Sequence, residues 1–182
     1  MMVRMGDRPV GELIEELAAR LGRSEFTRVC VALLEGAPRE DHVDALPWLT
    51  GHDWSEGEPV RDAGTWHDYW VRTWGARGLL HVWDDAATDA VVKGLADEHW
   101  RPAEMCLKVT ARHEVAGAGD GAAALADHEL PRVRAAAIRA LAVAGDTEHV
   151  AVVAEAADDP DPAVRKAAAR ALEHLRQRLD LP

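Results

Sequence analysis

The sequence predicts an all-α protein, built as an α-solenoid of stacked helical hairpins. Counting forward in steps of 31 residues from Tyr69 reaches Trp100, Pro131 and Pro162, and similar residues follow each of these positions. Ala, Leu and Arg dominate the repeated segments, and all three are strong helix formers. Repeats of this kind bury their apolar faces against neighbouring repeats, which is the physical basis of a solenoid.

The repeated segments align position by position. One position is occupied by Val71, Pro102, Val133 and Val164. Another position is basic in every copy and holds Arg77, Lys108, Arg139 and Arg170. Three full spacings with matching residues exclude a chance similarity, so we expect a four-membered array whose last unit is partial.

Within each unit the pattern is that of two antiparallel helices. In the last copy, apolar residues recur at helical spacing from Val164 to Leu175, with charged residues between them. Pro131 and Pro162 suit the first turn of a helix, where the missing N–H costs nothing. The run of aspartate and proline at residues 158–162 breaks the chain between helices.

The run Asp-Asp-Pro-Asp-Pro-Ala-Val-Arg at residues 158–165 resembles the HEAT repeat, in particular the short repeats of phycobilisome lyases. The resemblance extends over about residues 69–182. It implies that the helix beginning with Val-Arg is the inner helix of each pair and lines the concave side. It also implies that Asp159 and Arg165 form the structural Asp–Arg pair of the family. The second repeat has Ala103 at the arginine position, so the ladder lacks an arginine there.

Three helices are predicted before the repeats. Residues 9–21 form the first, with Asp7 or Arg8 preceding Pro9. Residues 24–34 form the second, with Ser24 as its N-cap. The third covers residues 39–49 and is interrupted by Pro47, and the polar segment that follows it is predicted to be a loop.

These helices are expected to cover the open end of the solenoid, because an exposed terminal repeat would leave apolar surface in water. We therefore predict an N-terminal helical cap over residues 1–65 and a HEAT-like repeat array over residues 66–182. All seven tryptophans lie between residues 48 and 100. Two interpretations stay open: the rings fill the junction between cap and repeats, or they form a recognition surface that includes Trp70 and Trp74.

Charge is the best indication of function. The chain has a formal net charge of −11, with −7 over residues 1–68 and −4 over residues 69–182. Such an acidic chain is a poor candidate for coating DNA. The cations are nevertheless aligned on one face of the inner helices, where we find two acids, Glu104 and Glu173. The candidate binding residues are Arg77, Arg101, Lys108, Arg112, Arg132, Arg139, Lys166 and Arg170, together with Trp70 and Trp74.

The predicted function is a non-enzymatic interaction module that binds an acidic protein or peptide on a concave basic face. The alternative is a HEAT-like DNA-binding protein or a DNA glycosylase-like enzyme. No catalytic constellation supports an enzyme, and His67 with Asp68 is only a weak candidate. We expect no cofactor and no metal, since the nine histidines lack ligand spacing and Cys30 and Cys106 lie in apolar helical runs.

The setting is predicted from composition. No stretch of 18 apolar residues and no basic-then-apolar leader occurs, so we expect no membrane association and a cytoplasmic location. Asn is absent and Lys occurs three times among 21 basic residues, a bias typical of bacterial genomes rich in G and C. The oligomeric state and the identity of the partner stay open.

Overall fold

The computed structural model describes residues 8–181, in which ten α-helices and no strands occur, so the all-α prediction is confirmed. Asp7, one of the proposed helix caps, lies outside the described residues. The chain divides into two compact units, residues 1–90 and 91–182. The helices are α1 Val10–Leu21, α2 Arg23–Leu34, α3 Leu46–Thr50, α4 Asp68–His81, α5 Thr88–Gly94, α6 Trp100–His113, α7 Gly119–Ala124, α8 Pro131–Ala144, α9 Val150–Glu155 and α10 Pro162–Leu179.

In the first unit, α1, α2 and α3 pack against α4, the inner helix of the first repeat. Their contacts bury large side chains such as Ile14, Phe26 and Leu49. The backbones of α2 and α4 come close together because α4 presents glycine at the contact. A β-carbon at Gly75 would lie 2.6 Å from the carbonyl oxygen of Cys30. The helices α1, α2 and α3, which we call the cap helices, therefore cover α4, and the division into a cap over residues 1–65 and a repeat array over residues 66–182 stays a prediction.

Two details of the cap differ from the predictions. Gly22, in a conformation with φ of 80°, immediately precedes α2, so Ser24 lies inside the first turn and does not cap the helix. The helix predicted over residues 39–49 is two elements, the 3₁₀ turn Arg39–His42 and α3. Pro47 stands in the first turn of α3, where a proline is favoured, so it starts this helix instead of interrupting one.

In the second unit, α6, α8 and α10 pack in succession as one layer, with α7 against α8 and α9 against α10. This layer contains the helices predicted to be inner ones. Equivalent positions of successive repeats form its core: Val133 and Val164 are fully buried, as are Leu107 and Ile138. The 31-residue spacing therefore corresponds to the stacking of one helix on the next.

An Asp–Arg pair joins the last two repeats. Arg134 donates two hydrogen bonds to the Asp159 carboxylate, from Nε to Oδ2 over 2.8 Å and from Nη2 to Oδ1 over 2.9 Å. The same carboxylate accepts a 2.8 Å bond from the amide of Asp161. The pairing inferred from the family resemblance was wrong in one respect, because Arg165 bonds the main-chain carbonyls of Asp159 and Pro160 instead. The carboxylate thus holds the arginine of the preceding repeat.

The preceding repeat lacks both residues of this ion pair. Ala103 stands at the position of Arg134, and His128 stands at the position of Asp159. His128 keeps the local role of the aspartate, since its Nδ1 accepts a 3.0 Å bond from the amide of Leu130. The loop turn is therefore preserved while the ion pair is lost, as the predicted absence of an arginine at Ala103 requires.

We expect Leu141→Ala to lower the free energy of unfolding by about 2–5 kcal/mol, because the side chain is fully buried and its truncation leaves a cavity. Arg139→Ala, on the exposed side of the same helix, should change it by less than about 0.5 kcal/mol. Urea unfolding followed by circular dichroism measures both values. Similar losses for the two variants would contradict the placement of Arg139 on the solvent face.

We expect Asp159→Asn to lower the free energy of unfolding by about 1–3 kcal/mol at neutral pH, because it removes charge-assisted hydrogen bonds. The hydrogen bonds from Arg134 hold the pKa of Asp159 below its ordinary value of 3.8. The stabilisation is therefore present above about pH 4 and is lost as the pH falls through the lowered folded value. Urea unfolding at a series of pH values measures this. The free energies of unfolding of the wild type and the variant should converge as the pH falls, and a difference between them that stays constant down to about pH 2 would refute this linkage.

Candidate functional site

The solvent face of the second unit carries the aligned cations of the repeats. Lys108 on α6, Arg139 on α8 and Arg170 on α10 share one repeat position, and each side chain reaches solvent. Their spacing follows directly from the stacking of the three helices. The predicted exposed column is therefore present in this unit.

The fourth member of the column, Arg77, belongs to the first unit and differs. Its side chain is half-buried, and Nη1 lies 3.5 Å from the carbonyl oxygen of Leu49 on α3. Burial lowers the pKa of its guanidinium. The prediction that Arg77 points into solvent was wrong, because the cap helices cover the side of α4 on which it lies.

The tryptophans predicted as a rival binding surface form part of the core of the first unit. Trp74 is 2% exposed, so its proposed role as a partner contact was wrong. Its ring packs edge-on against Trp54 at 5.6 Å between centroids and lies 6.3 Å from the half-buried Trp70. The indole nitrogen of Trp54 donates to Thr50 Oγ1 over 3.0 Å. This arrangement supports the interpretation that the rings fill the junction between cap and first repeat.

The weak catalytic candidate of the first unit has a structural contact. Asp68 accepts a 2.7 Å bond from Nη2 of Arg39, whose side chain is buried. Arg39 also donates to the carbonyls of Val60 and Trp66. One arginine thus fastens the segment between α3 and α4, with Asp68 as part of that attachment.

The contact between α6 and α8 contains an acid that neutralises its cations. Glu104, whose side chain is 8% exposed, lies 3.1 Å from Nζ of Lys108. Arg132 donates to both carboxylate oxygens of Glu104, over 3.1 and 2.9 Å. The guanidinium carbons of Arg101 and Arg132 also lie 4.3 and 5.0 Å from the ring centre of Trp100. Lys108 and Arg132 therefore already have an anionic partner within the chain.

The equivalent contact between α8 and α10 contains no such acid. Ala135 stands at the position of Glu104, and Ala163 stands at the position of Arg132. Arg139, Lys166 and Arg170 line a cavity of about 530 Å³ here, which we call the α8/α10 groove. Its remaining lining residues are Ala142, Val143, Ala163, Ala167, Ala171 and His174.

The cations of the α8/α10 groove are available to a ligand. Arg139, Lys166 and Arg170 are exposed, and within residues 8–181 none of the three side chains makes an ion pair or hydrogen bond. His174 lies beside them with Nδ1 2.8 Å from the carbonyl oxygen of Ala142. Since a carbonyl only accepts, Nδ1 carries the proton and Nε2 is left for a ligand. The groove therefore presents positive charge around a floor of small apolar side chains.

Comparison with known proteins identifies the segment that builds this groove. Residues 121–182 match the family model of HEAT repeats. These residues are HEAT repeats. HEAT repeats commonly mediate protein interactions, and the matched segment contains both helices of the α8/α10 groove. A search of the curated proteins finds no match. The similarity to the short repeats of phycobilisome lyases stays a prediction.

The HEAT region and its neighbours contain few groups suited to other chemistry. Among the described residues, no set of three or more His, Cys, Asp or Glu side chains could hold a metal ion. Cys30 and Cys106 are buried, and burial raises the pKa of both thiols, so neither is a reactive thiolate at neutral pH. Across residues 8–181, no helix is long and apolar enough to cross a bilayer.

Sequence reasoning found the cations of the groove but missed which of them are free. Arg112 is exposed on α6, as predicted, and Glu104 was recognised as an acid on the same face. The ion pairs of Glu104 depend on where the first turn of α8 lies, which the helical period alone does not show. A signal did exist, because Glu104 and Ala135 occupy the same repeat position.

We expect Glu104→Ala to give the α6/α8 contact the composition of the α8/α10 groove and to free Lys108 and Arg132 for anions. The affinity of this variant for a fluorescein-labelled polyglutamate peptide should be about five- to tenfold higher than that of the wild type at low salt. This corresponds to a binding free energy that is more favourable by about 1–1.4 kcal/mol. Glu148→Ala is the matched control, since it removes the same charge from an exposed acid in the turn before α9, outside the groove. Fluorescence anisotropy measures both, and equal gains would mean that net charge, not local pairing, limits binding.

Proposed function

We propose that this protein is a non-enzymatic interaction module whose HEAT repeats bind an acidic protein or peptide. The observation that carries the proposal is the α8/α10 groove, where Arg139, Lys166 and Arg170 surround one cavity and none of them is paired with an acid within residues 8–181. Three cations clustered in a chain of net charge −11 are an asymmetry that an acidic partner would complement.

The chemistry of the groove favours carboxylates. A guanidinium presents paired N–H donors that match the two oxygens of a carboxylate, and it stays charged at any physiological pH. The alanine and valine floor adds apolar contact area between the charged groups. Such a lining binds and orients an anionic chain, which is the basis for proposing an interaction module over an enzyme.

The charge of the whole chain favours a protein partner over a nucleic acid. A duplex carries one negative charge per about 1.7 Å of its axis, and its binding needs an extended track of cations. Here three unpaired cations meet at one groove instead of forming an extended track, and the first 68 residues alone carry −7. Acidic protein surfaces, with fewer and more separated charges, are repelled less by the rest of the chain.

We expect the double reversal Arg139→Glu with Arg170→Glu to weaken binding of a labelled polyglutamate peptide by at least about tenfold, because both charges face the bound anion. The helical circular dichroism spectrum should not change, since both side chains are exposed. Wild-type affinity should fall as salt is raised above physiological ionic strength, where the Debye length is about 8 Å.

The matched control reverses Arg28 and Arg176, two exposed arginines outside the groove. This variant has the same net charge as the test variant, so it separates local from overall electrostatics. Equal losses in both variants would overturn the assignment of the site to the groove. Single- and double-stranded DNA of similar length serve as competitors, and tighter binding of DNA than of the peptide would favour the nucleic acid alternative.

A further inference from the structure

We infer that the segment recognised by the α8/α10 groove is an acidic amphipathic α-helix of the partner protein, and not an extended peptide. The inference rests on the proposed function, because it takes an acidic partner as given and specifies its conformation. Three features of the groove carry it: the spacing of the cations, the floor between them, and the acid at the adjacent contact.

The cations follow a helical spacing along one wall. Lys166, Arg170 and His174 stand four residues apart on α10, which places them about 6 Å from one another along the axis. Arg139 lies on α8, at the opposite wall. A partner helix aligned with the groove would present carboxylates at positions i, i+4 and i+8 with the same repeat distance. Each turn of that helix would then meet one basic group of α10.

The side chains on the floor of the groove offer no hydrogen bonds to a peptide backbone, because they are those of Ala142, Val143, Ala163, Ala167 and Ala171. The amides of Ala167 and Ala171 lie within α10, the amide of Ala163 donates to the Asp161 side chain, and the carbonyl of Ala142 is occupied by His174. An extended peptide laid on this floor would bury amide groups without partners, which is costly. A helix satisfies its own backbone groups internally. Short alanine side chains also allow a helix to approach closely, as in other grooves that bind helices.

The adjacent contact limits the length of the acidic stretch. Glu104 lies on the same face one repeat earlier and is itself engaged by Lys108 and Arg132. A carboxylate of the partner placed there would meet an acid whose cations are already paired. The acidic face of the partner helix therefore needs to cover only the span from Lys166 to His174, about 12 Å or a little over two turns.

The test uses three synthetic peptides of about 20 residues and the full chain. The first peptide carries glutamates at i, i+4 and i+8 beside a stripe of alanine and leucine. The second has the same composition with the glutamates distributed around the helix, and the third is the first with one central proline, which breaks a helix. Binding is measured by isothermal titration calorimetry. Helix formation is measured by circular dichroism, as the spectrum of the mixture minus the sum of the spectra of the peptide and the protein alone.

We expect the first peptide to bind at least roughly tenfold tighter than the other two, since a central proline costs a helix about 3 kcal/mol. Its helicity should increase on binding, and its affinity should be lost in the variant with Arg139→Glu and Arg170→Glu but kept in the variant with Arg28→Glu and Arg176→Glu. Equal, salt-sensitive binding of all three peptides that the groove reversal abolishes would overturn the helical occupant and leave the proposed function standing. Failure of every acidic peptide to bind would overturn both.

Discussion

The packing of α8 on α10 at a fixed offset of one repeat is the constraint on which the candidate site depends. Val133 and Val164 bury the same repeat position in the two helices, and the two hydrogen bonds from Arg134 to Asp159 tie one helix to the loop before the other. A shift of one helix by a single turn would move its side chains by about 5.4 Å. Arg139 would then no longer lie across from the cations of α10.

The two successive contacts of the layer show how a repeat protein varies charge on a constant scaffold. Both contacts have a basic residue at the shared exposed position, yet only the first has an acid beside it. Glu104 and Ala135 are both buried, at 6% and 2% exposed, and the apolar positions Leu107 and Ile138 beside them are fully buried in both helices. The exchange thus removes a carboxylate while the apolar packing of the two contacts is kept.

How far the sequence predicts this protein depends on which helix is considered. For α6, α8 and α10, the 31-residue spacing correctly identifies the buried positions and the exposed column, because each helix meets its equivalents in the same orientation. For α4 the same reasoning fails at Arg77 and Trp74. This helix is covered by the cap on the side where Gly75 allows close approach, and a face lined by glycine gives no hydrophobic signal.

The acidic character of the chain and its basic groove act over different distances. Carboxylates further from the groove than about 8–10 Å are screened at physiological ionic strength, whereas a bound carboxylate in contact with Arg139 or Arg170 is screened much less. Net charge therefore affects mainly the approach of a partner, while the groove determines which surface it contacts once it arrives. A net charge of −11 is for this reason compatible with an acidic partner, provided that its charges are concentrated where the groove can meet them.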